Sequence, residues 1–83
     1  MNYTDIEVND RDSFIKFTKE LLENYRTQGE KWENNTLETF LEALSTYSEE
    51  IDGYYRNLHP ERNHEEPSWK AFSEILSGAV IYE

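Results

Sequence analysis

The chain has no cysteine, and only three glycines and two prolines in 83 residues. Without cysteine there is neither a disulfide framework nor a thiolate zinc site, so packing alone must hold the fold. Three scattered glycines cannot build a phosphate-cradling loop. Basic residues are scarce, 8 Lys and Arg against 18 Asp and Glu, for a net charge of −10. That balance repels phosphate backbones and anionic bilayers, so neither nucleic acid nor membrane is an expected partner. No apolar window approaches the roughly 20 residues needed to cross a bilayer. The opening MNYTDIEVND has no basic region or apolar run and reads as neither a signal peptide nor an anchor. A cytoplasmic location is expected, and the sequons at Asn2 and Asn34 are then chance matches.

Aromatic residues make up 14% of the chain, and rings bury much area each, which lets a short single domain (1–83) collapse around few aliphatics. The high charge opposes this, because it favours disorder, but the aromatics recur with helical periodicity. Phe14, Phe17, Leu21 and Tyr25, widened by Ile15 and Leu22, predict a helix over about 10–28. Asn9 or Asp10 would cap it, and Gly29 would end it in a left-handed conformation. Asn35 and Glu38 have capping-box spacing ahead of Leu37, Phe40, Leu41, Leu44, Tyr47 and Ile51. The same face continues through Gly53 to Tyr54, Tyr55 and Leu58, so a second helix is expected over about 36–57, although termination at Gly53 is the alternative. Pro67 or Ser68 opens a third helix reaching about residue 80, with Trp69, Phe72, Leu76 and Val80 as its stripe and Ile75 and Ala79 beside it. The apolar end of the chain implies a docked terminus. Residues 3–8 read as a short extended arm. The expected fold is all-α, a small three-helix bundle.

Few residues suggest chemistry. His59 and His64 lie among Glu61, Glu65 and Glu66, but H-x4-H matches no recognised metal spacing, and a charged loop gives the same composition. The carboxylates fall on predicted solvent faces, and no serine has a nucleophile-elbow context. The expectation is therefore no catalytic residue, no cofactor, no metal and no enzyme. Tyr54 and Tyr55 could stack a ligand or, as periodicity prefers, pack into the bundle. Trp32 sits off every stripe and reads either as a plug over the bundle's open end or as an exposed anchor.

The acids are more informative. Glu38, Glu42 and Glu49 form one outward stripe on the second helix, flanked by Asp52 and Glu50, with few lysines to relieve them. Like charges four apart cost a few tenths of a kcal/mol. Solubility would explain the stripe, as would docking to a basic protein.

At WENNTLETFLEAL, followed by DGYY, PSWKAF and IYE, the chain resembles a bacterial family of short acidic proteins known only as a domain of unknown function. The resemblance spans most of residues 12–83 and implies a compact, mainly helical domain in a bacterial cytoplasm. It carries no catalytic residue across. In size and charge, though not in motif, the chain also resembles immunity proteins that neutralise toxins. The leading expectation is a non-enzymatic interaction domain offering Glu38, Glu42, Glu49, Asp52 and Trp32 to a basic partner. The alternatives are a small metal- or ligand-binding regulator using residues 54–66, or a self-associating structural module.

Overall fold

A computed structural model describes residues 2–58 and 67–81, the stretch 52–58 by its backbone alone. Among the described residues are three α-helices and no strand: α1 Arg11–Gln28, α2 Leu37–Leu58 and α3 Trp69–Ile81. A 3-10 turn, Tyr3–Asp5, precedes α1, and a second, Gly29–Lys31, follows it. The expected all-α three-helix bundle is the fold observed.

Each helix starts where a side chain can take an orphan amide. Asp10 caps α1, its carboxylate accepting from the Ser13 N–H at 2.8 Å. The Ser13 hydroxyl in turn accepts from the Asp10 N–H at 3.0 Å, which closes a capping box. For α2 the expected Asn35–Glu38 box is replaced by one a residue later. Thr36 Oγ1 accepts from the Thr39 N–H at 3.1 Å, and Thr39 Oγ1 accepts from the Thr36 N–H at 3.4 Å. The Asn35 carbonyl instead accepts the Tyr25 hydroxyl at 3.3 Å. Ser68, rather than Pro67, caps α3, its hydroxyl accepting from the Ala71 N–H at 3.0 Å. Gly29 does follow α1, but its φ of −59° is right-handed, so the expected left-handed terminator is not formed. Its lack of a side chain serves space: a Cβ there would lie 2.6 Å from the Tyr25 ring. α2 runs on through Gly53, as the continuing apolar periodicity required.

α3 is the centre of the packing. α1 and α2 each pack against it and scarcely against one another. On one side the buried Tyr3, Val8 and Phe17 gather Ile6, Phe14, Leu21 and the α3 residue Leu76. On the other, Ile51 and Ala71 gather Tyr47 and Ile75. Small residues on α3 allow this two-sided burial: Ala71, Ser73 and Ala79 are buried together with Val80. The Tyr47 ring lies directly on Gly78, where a Cβ would come within 2.5 Å of it.

Two consequences correct the sequence reading. Residues 3–8 are no loose arm, because Tyr3 and Val8 are core residues, with Tyr3 edge-on to Phe17 at 5.8 Å. Burial also raises the Tyr3 hydroxyl above its ordinary pKa. Conversely Leu22, Tyr25, Leu37, Leu41, Trp69 and Phe72, all assigned to apolar stripes, are substantially exposed; of the end expected to dock, Ala79 and Val80 are buried while Ile81 is 65% exposed.

Candidate functional site

Glu38, Glu42 and Glu49 lie on exposed turns of α2, as the stripe predicts. Asp52 belongs to the same helix, and its side chain lies outside the described residues. Between Lys31 and Arg56 there is no basic residue, while Glu33, Glu38, Glu42, Glu49, Glu50 and Asp52 all fall in that interval. Glu38 has a local justification: it occupies the first turn of α2, where the helix dipole favours an anion by about 0.3–1 kcal/mol. Glu42 and Glu49 sit beyond that turn and gain nothing comparable. Placed four residues after Glu38, Glu42 adds repulsion of about 0.2–0.5 kcal/mol.

The acids border an apolar surface that periodicity assigned to the core. Leu37 is 75% exposed and Leu41 50%. The helix geometry explains it. At about 100° per residue, Leu41 stands roughly 60° from Glu38 but roughly 120° from Tyr47, which faces α3. The buried side of α2 is centred on Ala43, Tyr47 and Ile51, and Leu37 and Leu41 are left at its margin. With Glu38, Glu42, Ser45 and Thr46 they line a shallow groove along the first three turns.

Leu37 also lines an adjoining cleft of about 230 Å³, whose walls include Tyr25, Trp32, Asn34 and Phe40. Trp32 forms the middle of this cleft's wall. Its indole N–H donates to Asn24 Oδ1 at 2.8 Å, and its ring meets Tyr25 at 5.2 Å and Phe40 at 6.3 Å. Half-buried and tied to both helices, it has the geometry expected of a plug, with one face open to the cleft. Beneath it, Asn34 fastens the connection to α3: its side-chain amide donates to the Ala79 carbonyl at 2.9 Å and its backbone N–H to the Val80 carbonyl at 3.2 Å. These are orphan carbonyls of the last helical turn.

A second cleft, about 360 Å³, separates the N-terminal segment from α3 and is lined by Tyr3, Ile6, Tyr47, Lys70, Glu74 and Ser77 among others. Ser73 borders it and is the one buried polar side chain among the described residues, but its hydroxyl donates to the Lys70 carbonyl at 2.7 Å. Among the described residues no three His, Cys, Asp or Glu side chains are grouped to hold a metal. His59, His64 and their neighbouring glutamates, like the side chains of Tyr54 and Tyr55, lie outside the described residues. No described helix is long and apolar enough to cross a membrane.

Sequence reasoning found the acids but missed what adjoins them. The signal was present in the spacing, since Leu37 and Leu41 fall between the centre of the stripe and the glutamates. No curated protein and no solved structure gives a significant match to the chain. Residues 10–83 match the family of unknown function DUF7660, and the chain belongs to that family.

Proposed function

We propose that this protein is a non-enzymatic interaction domain that presents the acidic side of α2 to a basic protein. The observation that supports this reading is the unrelieved charge: exposed Glu38, Glu42 and Glu49 on a helix with no basic residue before Arg56. Such a surface raises association rates with an oppositely charged partner and disfavours acidic competitors. An immunity-like role in a bacterial cytoplasm, neutralising a basic toxin, is the biological setting this chemistry suits. Trp32 contributes as a wall of the adjoining cleft, and Asp52 as an extension of the charged stripe.

The test is a capture experiment. Replacing Glu38, Glu42 and Glu49 together by lysine should leave helical content and thermal midpoint within a few degrees of the parent, since all three are exposed. The same change should abolish capture of the partner from native lysate of the source cells. If the parent protein itself retains no basic partner, the proposal fails.

A further inference from the structure

α1 and α2 each rest on α3 and have little contact with one another, and an exposed apolar seam runs from the cleft at their junction onto the outer side of α2. Its floor is apolar: Leu37 and Leu41 from α2, Tyr25 from α1, and the half-buried Trp32 and Phe40 where the helices converge. Leu22, 49% exposed, lies on α1 one turn before Tyr25. Its α2 margin is anionic, formed by Glu38 and Glu42. We infer that this seam receives an amphipathic basic helix of the partner, which docks as the fourth helix of a bundle; the inference rests on the acidic-face reading above.

The shape and the charge select the occupant together. An apolar strip along one helix, ending at the Trp32 cleft, suits a helix laid alongside it, with apolar side chains at i, i+3/i+4 and i+7 as anchors. The groove on α2 extends from Leu37 to Thr46, about 14 Å of helix axis, which a segment of about 10–14 residues would cover. Lysine or arginine flanking the apolar stripe would reach Glu38 and Glu42. A second copy of this chain is disfavoured, because each copy carries −10 and would bring like carboxylates together. Anchoring sits in the amino-terminal half of α2, so Glu49 and Asp52 act by attraction at a distance rather than by contact.

The probe is a synthetic helical peptide of about 14 residues, with a leucine stripe flanked by lysines; a companion peptide has every leucine replaced by glutamine. Binding is followed by amide and methyl NMR shifts of the full chain, of a Leu37→Ser/Leu41→Ser variant, and of a Glu38→Lys/Glu42→Lys variant. The expected result is saturable binding of the leucine peptide, with shifts concentrated at Leu22, Tyr25, Leu37 and Leu41. Each variant should weaken it about tenfold or more, and the glutamine peptide should bind at least that much less well. Both leucines are exposed, so the variant should keep its circular dichroism and thermal midpoint. Equal binding of the two peptides, unaffected by the leucine substitutions, overturns the seam and leaves the acidic-face reading standing. Loss in the leucine variant alone, with full binding by the lysine variant, overturns the basic partner and the reading beneath it. No binding of either peptide overturns the seam as a helix site. So does sedimentation showing a dimer that Leu37→Ser/Leu41→Ser dissolves, because the occupant would then be a second copy.

Discussion

Asp10 both caps α1 and titrates, and the two roles can be separated. The backbone N–H and the hydroxyl of Ser13 donate to its carboxylate, which holds the pKa below the ordinary 3.8. The folded protein therefore binds this proton less tightly than the unfolded chain. The stabilisation is complete above 3.8 and is lost as pH falls through the lower folded value. Asparagine caps a helix about as well but does not titrate. In Asp10→Asn the thermal midpoint should accordingly fall less steeply than in the parent below about pH 4. The two proteins differ at no other carboxylate, so the difference between the two acid limbs isolates Asp10. Parallel limbs would show that the cap contributes nothing through its charge.

Between helices, α2 approaches α3 closely at Gly78, on which the Tyr47 ring lies. Alanine there gains about 1 kcal/mol of helix propensity, yet its Cβ would sit 2.5 Å from the Tyr47 ring. Displacing a packed ring costs about 1–3 kcal/mol, so Gly78→Ala should be destabilising on balance despite the propensity gain. Denaturant unfolding reads the loss, and the loss should shrink in a Tyr47→Leu background, where the ring is gone. The same scale separates what was legible in the sequence from what was not. Helix existence, the cap at Asp10 and the passage of α2 through Gly53 follow from periodicity and local hydrogen bonding, both short-range properties. The burial of Tyr3 and Val8 was not legible, because six residues of irregular chain show no period and their burial depends on where Phe17 lies. Leu37 and Leu41 were misread for the reverse reason. A stripe declares that residues are apolar, but only the arrangement of neighbours decides which part of it is covered. The acidic residues were legible as a surface because charge needs no neighbour to keep it exposed.

For the molecule as a whole, the net charge of −10 on 83 residues acts against compaction as well as toward a partner. Raising sodium chloride from about 0.01 to 0.15 M shortens the screening length from roughly 30 to 8 Å. The thermal midpoint should therefore rise over that range while association with a basic partner slows. A midpoint insensitive to salt would mean that the repulsion is already dispersed. The bond from Asn34 to Ala79 adds a kinetic consequence, since it joins residues 45 apart in sequence. Closing so large a loop is entropically costly, so this contact is expected to form after the local helices and no earlier than the α2–α3 pairing that brings its ends together. Asn34→Ala should then speed unfolding with little change in the folding rate, a φ-value near zero. The connection between α1 and α2 would thus work as a latch: it closes last, opens first, and sets how long the assembled bundle persists.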